Sequence, residues 1–126
     1  MSTKRVLVVD DEDAIQAVIQ GCLEDIAGWE VLLASSGQEG LQLAEAEKPD
    51  GILLDVSMPH MSGIEAFQQL QANLATQKIP VVFVTAKVQA EDRKQFSQLG
   101  VVGLLIKPFD PMTLVNQVAD LFGWEV

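Results

Sequence analysis

The sequence predicts an α/β protein in which one doubly wound, five-stranded parallel sheet is covered by helices on both faces. Two observations carry this prediction. Five short, almost uninterrupted apolar runs recur along the 126 residues, as in parallel strands that are buried on both faces. Between and after these runs, apolar residues repeat every three or four positions, as on amphipathic helices. Strands that alternate with helices in this way predict a single (βα)5 domain over residues 1–126.

The predicted strands are the apolar runs, each of which is too short for a helix and is bounded by charged or turn-forming residues. They cover Arg5–Asp10, Glu30–Ala34, Ile52–Leu54, Pro80–Val84 and Val101–Ile106. Parallel strands place their carboxyl ends along one edge of the sheet, where ligands bind in doubly wound folds. The residues predicted to share this edge are Asp10, Asp11, Asp55, Thr85 and Lys107.

The helices are predicted from apolar stripes together with start and stop signals. Ser36, with Glu39 three residues later, forms a capping box for the second helix, and Asp110 followed by Pro111 begins the fifth. Gly28 and Gly123 end the first and the fifth helix. The predicted stripes are Ile15, Val18, Ile19, Cys22, Leu23 and Ile26; Leu41, Leu43, Ala44 and Ala46; Ile64, Phe67, Leu70 and Leu74; Phe96 and Leu99; and Met112, Val115, Val118, Ala119 and Phe122.

The fourth predicted helix, from about Ala90 to Leu99, has the thinnest apolar stripe. Its segment Glu91–Gln95 is strongly polar, so only Phe96 and Leu99 are left to hold it to the core. A helix that buries little apolar area opens more readily than its neighbours. We therefore predict that this helix is a moving part.

Composition and charge exclude several classes of function. The net charge is −10 and only eight residues are Lys or Arg, which argues against direct nucleic-acid binding. No apolar run approaches the roughly 20 residues that span a bilayer, and no secretory signal follows the N-terminus. The single cysteine, Cys22, is expected to be a small buried residue and fits a reducing compartment. The expected location is the cytoplasm.

The predicted edge has the chemistry of a phosphoryl acceptor. Carboxylates that share one edge repel each other, and a divalent cation such as Mg²⁺ relieves this repulsion while binding a phosphate. Asp55 can attack the phosphorus of such a phosphate to form an aspartyl phosphate. Lys107 supplies a fixed cation, and the hydroxyl of Thr85 can donate to a phosphoryl oxygen. None of these groups is a strong base for activating water.

The chain resembles a receiver domain of the two-component response-regulator family over essentially its whole length. Each matching motif is weak alone, but four of them in this order and at these separations are highly specific. The motifs are Val8-Val9-Asp10-Asp11-Glu12, Leu53-Leu54-Asp55-Val56-Ser57-Met58-Pro59 with Ser62-Gly63, Val84-Thr85-Ala86, and Lys107-Pro108-Phe109. The resemblance implies the flavodoxin-like receiver fold.

The resemblance also implies roles for the residues at the predicted edge. Asp55 would accept a phosphoryl group from a phosphohistidine on a histidine kinase or on a histidine phosphotransfer protein. Mg²⁺ would be held by Asp10 and Asp11, with Asp55 and the backbone carbonyl of Ser57.

Lys107 would pair with the phosphoryl group, and the Lys107–Pro108 peptide would be cis. Thr85 would move to bond a phosphoryl oxygen, which would shift the surface formed by helix four, strand five and helix five. A downstream effector protein would read that surface.

The chain departs from the family pattern three residues before the conserved lysine, where the family often has Tyr or Phe. Leu104 stands there and has no ring to swing inward, so we expect a quieter change carried by the backbone and by helix four. Ser57 and Lys87 lie two residues after Asp55 and Thr85, at positions that tune phosphoryl lifetime in the family. Whether Lys87 shields or attracts the phosphoryl group is left open.

Three functions compete at this stage. The leading one is a phosphorylation-dependent switch without an output domain, which is not an enzyme and signals through protein contacts or onward phosphotransfer. The chain could equally be a receiver cut from a larger protein, and homodimer formation is left open. The alternative is a small Mg²⁺-dependent phosphatase that works through an aspartyl phosphate, but haloacid-dehalogenase-type phosphatases carry a second Asp where Ser57 stands. A flavin or dinucleotide carrier is disfavoured because acids, not a Gly-rich loop, follow strand one.

His60, the only histidine, is expected to be solvated, and Trp29 and Trp124 are expected to be packing residues.

Overall fold

The computed structural model describes residues 3–86 and 89–124, and within them it contains one parallel sheet of five strands and five helices. The predicted doubly wound α/β fold is confirmed. The strands are β1 (Arg5–Val9), β2 (Glu30–Ala34), β3 (Gly51–Asp55), β4 (Val81–Thr85) and β5 (Gly103–Ile106). The helices are α1 (Asp13–Asp25), α2 (Gly37–Glu47), α3 (Gly63–Ala72), α4 (Ala90–Leu99) and α5 (Leu114–Phe122). Among the described residues, every helix is too short or too polar to cross a membrane.

The strand order is β2-β1-β3-β4-β5, with every neighbouring pair parallel. The ladders keep the carboxyl ends of β1, β3, β4 and β5 nearly level. Their last pairs are Val9 with Leu54, Asp55 with Val84, and Thr85 with Ile106. Residues that follow these strands therefore meet at one edge, as the sequence predicts.

The sheet divides the core into two layers, because successive residues of a strand face opposite sides. On β1, Val6 and Val8 pack with α1 and α5, whereas Leu7 and Val9 pack with α2, α3 and α4. All four side chains are at most 2% exposed. Helices on both faces thus hold the strand ends rigidly where the acids follow.

An aromatic cluster closes the opposite, amino-terminal edge of the sheet. Trp124 stacks on Phe122 with ring centroids 4.5 Å apart and meets Trp29 edge-on at 5.3 Å. Lys4 Nζ lies 5.2 Å from the centroid of the Trp124 ring. At Gly51, the first residue of β3, an added Cβ would lie 2.8 Å from the Phe122 ring. Both tryptophans are therefore packing residues, as predicted.

The predicted start of the fifth helix is wrong by three or four residues. α5 begins at Leu114, and residues 111–113 form a turn. The carboxylate of Asp110 accepts from the Met112 amide at 2.9 Å, and its carbonyl accepts from the Thr113 amide at 3.0 Å. Because Asp side chains readily close such local turns, the helix start is delayed. Met112, predicted on the buried stripe, is 84% exposed.

Three other predicted stripes are too wide. In α2, Ala46 is exposed. In α1 the buried positions are Gln16, Ile19 and Leu23, so Val18 lies at the side of the helix and is 39% exposed. Ile26 and Leu74 lie beyond the ends of α1 and α3 and are 60% and 84% exposed.

Smaller differences concern element ends and caps. β1 ends at Val9 rather than Asp10, and β5 begins at Gly103 rather than Val101. Glu39 donates its amide to Ser36 Oγ at 3.1 Å, but its carboxylate accepts from the amide of Ser35, so half of the predicted capping box forms.

A complete capping box lies instead at the start of α3, between Ser62 and Glu65. Cys22, predicted to be buried, is partly exposed and packs against the core with its Sγ 3.6 Å from the Pro111 carbonyl oxygen.

Candidate functional site

Three carboxylates meet at the carboxyl edge of the sheet. Asp10 and Asp11 directly follow β1, and Asp55 is the last residue of β3. Each offers one oxygen that lies within 4.8 Å of the oxygens of the other two. Asp10 and Asp55 are 1% and 3% exposed, while Asp11 is exposed to solvent. The predicted meeting of these acids is confirmed as geometry.

Backbone amides hold the two buried carboxylates in place. The Glu12 amide donates to Asp10 Oδ1 at 2.9 Å, and the Ser57 amide donates to Asp55 Oδ1 at 3.3 Å. The second oxygen of Asp10, Oδ2, is buried and faces the ammonium group of Lys107 at 3.3 Å. Buried carboxylates need positive partners, and three carboxylates here meet one ammonium group among the described residues. Carboxylate oxygens of this kind fit Mg²⁺.

Lys107 supplies the positive charge of the site. Its Nζ lies 3.3 Å from Asp10 Oδ2, 3.5 Å from Asp55 Oδ1 and 3.7 Å from Glu12 Oε1. The residue follows β5, and its amide donates to the carbonyl of Thr85 at 2.9 Å. The Lys107–Pro108 peptide is cis, as the resemblance implies.

The electrostatic balance of the site is uneven. Burial raises the pKa of Asp55 to about 6, and the carboxylate of Asp10 adds to this, against the opposing effects of Lys107 and the Ser57 amide. Burial also raises the pKa of Asp10. For Lys107, burial lowers the pKa, but Asp55 and Asp10 outweigh burial and the net pKa is raised. One ammonium group therefore leaves the carboxylates only partly compensated, which favours a second cation.

The remaining predicted residues surround these charges. Thr85 is the last residue of β4 and is 2% exposed. Ser57 is exposed in the loop after Asp55. His60 is exposed as predicted, with a left-handed φ of 70°. Lys87 lies outside the described residues.

Gly63 has a structural role that its place in a motif does not reveal. A Cβ at this position would collide with the carbonyl oxygen of Asp55 and lie 2.8 Å from Val56 Cα. The Gly63 amide also donates to the carbonyl of Val56 at 2.9 Å. Only glycine lets α3 begin directly against the end of β3, so Gly63 fixes the backbone that carries Asp55.

Comparison with known proteins agrees with this geometry. Residues 6–119 match the family model described as the response regulator receiver domain. The chain is 38% identical over 114 residues to protein PilH of Pseudomonas aeruginosa, which covers 90% of this chain and 93% of PilH. It is 43% identical over 110 residues to the alkaline phosphatase synthesis transcriptional regulatory protein PhoP of Bacillus subtilis, covering 86% of this chain. That match covers only 44% of PhoP, and the chain spans about half the length of most of the curated relatives it matches.

Solved structures show the same fold. The chemotaxis response regulator CheY4 of Vibrio cholerae superposes with a TM-score of 0.88 at 32% identity, over 95% of this chain and 99% of that one. The receiver domain of the sensor histidine kinase PA1611 of P. aeruginosa, at 28% identity and a TM-score of 0.84, covers 97% of this chain and 99% of its own. That structure has a magnesium ion coordinated in its active-site cleft. This chain belongs to the response regulator receiver domain family of two-component signalling systems.

Proposed function

We propose that this protein is a phosphorylation-dependent signalling switch that accepts a phosphoryl group on Asp55 from a histidine kinase or a histidine phosphotransfer protein. The observation that carries the proposal is the placement of Asp55, 3% exposed at the end of β3, between two further acids and the ammonium group of Lys107. A nucleophile for phosphoryl transfer needs cations around the phosphate that it attacks.

Asp10, Asp11 and Asp55 would hold Mg²⁺ through their carboxylates, with the backbone carbonyl of Ser57 as a further ligand. When bound, Mg²⁺ neutralises these carboxylates and the oxygens of an incoming phosphate. The acidic cluster, two of whose three carboxylates lie beside the ammonium group of Lys107, supports this assignment.

The transfer itself is carried by the side chains of this chain. A carboxylate oxygen of Asp55 forms a bond to phosphorus while the bond from phosphorus to the imidazole nitrogen breaks, and the electron pair returns to that nitrogen. Lys107 Nζ, 3.5 Å from Asp55 Oδ1, pairs with an oxygen of the transferred group. The Thr85 hydroxyl donates to another. With a pKa of about 6, Asp55 is already mostly ionised at neutral pH and ready to attack.

We infer that the signal leaves through the face formed by α4, β5 and α5. β5 directly precedes Lys107 and is an edge strand, which within residues 3–86 and 89–124 pairs with β4 alone. A cavity of about 520 Å³ lies between β5 and α5. It is lined by Leu104, Leu105, Ile106, Pro108, Phe109, Asp110, Gln117, Asp120 and Leu121. With Leu104 at the position where the family often has an aromatic, we expect backbone and α4 to carry the change.

Other parts of this assignment stay predictions. They are the single receiver domain over residues 1–126, the cytoplasmic location, the absence of enzymatic turnover, and the oligomeric state of the phosphorylated form. A downstream effector protein is the proposed partner on the α4–β5–α5 face.

The test is to incubate the protein with Mg²⁺ and acetyl phosphate and to weigh the intact chain. We expect a gain equal to one phosphoryl group, lost in Asp55→Asn and kept in Asp50→Asn, a matched change just before the other end of β3. A wild-type protein that gains no mass at saturating Mg²⁺ would refute the proposal. Rapid, repeated release of phosphate would instead support the phosphatase alternative.

A further inference from the structure

Gln16 is a buried polar residue to which the proposed chemistry assigns no role. It lies near the start of α1 and is 7% exposed. Its Nε2 donates to the Asp10 carbonyl at 2.6 Å, to the Ala34 carbonyl at 3.0 Å and to Ser35 Oγ at 3.2 Å. A side-chain amide has two hydrogens to donate, and here they are shared among three acceptors at the ends of β1 and β2.

The Asp10 carbonyl belongs to the peptide that joins Asp10 to Asp11. β1 ends at Val9, so the sheet no longer fixes this peptide through a regular ladder. The Asp10 amide still donates to the Ala34 carbonyl at 3.0 Å. The Asp10 carbonyl is linked to the same Ala34 carbonyl through the amide of Gln16, which donates to both. Main-chain groups on both sides of Asp10 are therefore anchored to the end of β2.

The orientation of this peptide decides where two carboxylates point. Rotating it would turn the Asp11 carboxylate relative to that of Asp10, and the two oxygens now lie within 4.8 Å of each other and of Asp55. Groups that orient metal ligands from behind commonly change metal affinity by about 10- to 100-fold when they are removed.

We propose that Gln16 is a positioning residue that fixes the Asp10–Asp11 peptide and so sets the affinity of the acidic cluster for Mg²⁺. This inference rests on the proposed function for the identity of the cation. A purely structural role makes a different forecast. Removing the amide would then take its donor from the buried Asp10 carbonyl and lower stability, but the folded protein would bind Mg²⁺ as before.

The test compares Gln16→Met, which keeps the side-chain volume but cannot donate, with Gln20→Met on the same helix. The amide of Gln20 donates at 3.3 Å to Glu24 Oε2, one turn further along α1. Mg²⁺ dissociation constants are measured from backbone amide shifts in NMR titrations, with folding verified by circular dichroism. Gln16→Asn, whose shorter amide cannot span the same distance, serves if Gln16→Met does not fold.

We expect Gln16→Met to weaken Mg²⁺ binding by about tenfold or more. Phosphorylation of Asp55 by acetyl phosphate should recover at saturating Mg²⁺, and Gln20→Met should match wild type. Unchanged Mg²⁺ affinity in folded Gln16 variants would overturn the inference and leave the proposed function intact. A wild-type chain that binds no Mg²⁺ would refute both the role of Gln16 and the proposed function.

Discussion

The folded structure disfavours the ionised form of Asp55. Its pKa is raised from 3.8 to about 6 by burial and by Asp10, so the folded protein binds this proton more tightly than the unfolded chain. Stability from this group is fully present below about pH 4 and is lost as the pH rises to about 6. We expect the metal-free free energy of unfolding to fall by up to about 3 kcal/mol across this window.

Urea denaturation in a chelator between pH 4 and pH 8 measures this fall. The Asp55→Asn variant cannot titrate at this position, so its stability should vary less with pH, and it should be the more stable protein above pH 6. An equal slope in wild type and variant would show that burial does not disfavour the Asp55 carboxylate.

Gly63 makes a second prediction at the level of single residues. Gly63→Ala places a methyl group against the Asp55 carbonyl and Val56 Cα, so β3 or α3 must shift. We expect a loss of about 2 kcal/mol or more in stability and slower phosphorylation. Gly21→Ala, in α1 with nothing within 4 Å of the added Cβ, should instead stabilise by about 0.5–1 kcal/mol. Denaturation midpoints of the pair decide the matter, and equal effects would contradict it.

The residues that bear the chemistry could be found from sequence because strand ends meet in space. Asp10, Asp55 and Lys107 each stand directly after an apolar run, and that position carries their role. Gln16 carries no such signal, since its partners are main-chain carbonyls and a hydroxyl that only folding brings near. Gly63 stood in a motif, but its need for glycine depends on an approach of two elements that spacing does not reveal.

Helix α4 is the element with the weakest attachment. Among its side chains that the structure describes, only Phe96 is buried, and its N-cap, Gln89, makes no side-chain cap hydrogen bond. α5 buries Leu114, Val115, Val118 and Ala119. Because local opening follows buried apolar contact, amides of α4 should exchange with deuterium faster than those of α5.

A helix cap tests the same point in the stabilising direction. Gln89→Asp should add a cap worth about 1 kcal/mol and slow exchange in α4 without changing α5. Equal protection of the two helices in the wild-type protein would mean that α4 is not the moving part.

At the scale of elements, apolar periodicity predicted which segments are helices and strands, but it misplaced some of their limits. Asp110 and Pro111 do precede a helix, as such a start signal predicts. However, Asp110 forms its hydrogen bonds within a turn, and α5 begins only at Leu114. Val18 was predicted on the buried stripe of α1, but it is partly exposed, and Gln16 is buried instead. A polar residue is buried there because the strand ends supply acceptors for its amide, which hydropathy cannot register.

The whole molecule carries a net charge of −10, which opposes the compact state. Mg²⁺ should stabilise it in two ways, by general screening and by binding at the acidic cluster. Binding contributes about 2.7 kcal/mol at a concentration 100 times the dissociation constant. Thermal unfolding in MgCl₂ and in NaCl at equal ionic strength separates the two.

We expect the excess effect of MgCl₂ to vanish in Asp10→Asn and to remain in Asp50→Asn. A salt effect that is the same for both cations would mean that the acidic cluster does not bind Mg²⁺.

The layered arrangement could be predicted from sequence because strands without a polar face must be covered on both sides. The strand order, in contrast, could not be predicted from local sequence patterns. It depends on pairings such as Val9 with Ala34 and Asp55 with Val84, far apart along the chain. Local periodicity does not encode them, and only the family resemblance implied them.

The aromatic cluster at the amino-terminal edge has an optical consequence. Both tryptophans of the chain, Trp29 and Trp124, lie there, and β3 separates Gly51 beside them from Asp55 by roughly 13 Å. We expect an ion at the carboxyl edge to leave the contacts of Trp29 unchanged, whereas unfolding breaks the ring contacts. Trp124 stacks on Phe122, the last residue of α5, so a shift of α5 on phosphorylation would reach the Trp124 ring. Intrinsic fluorescence therefore reports the integrity of the fold in Mg²⁺ titrations, and a further change on phosphorylation would report movement of α5.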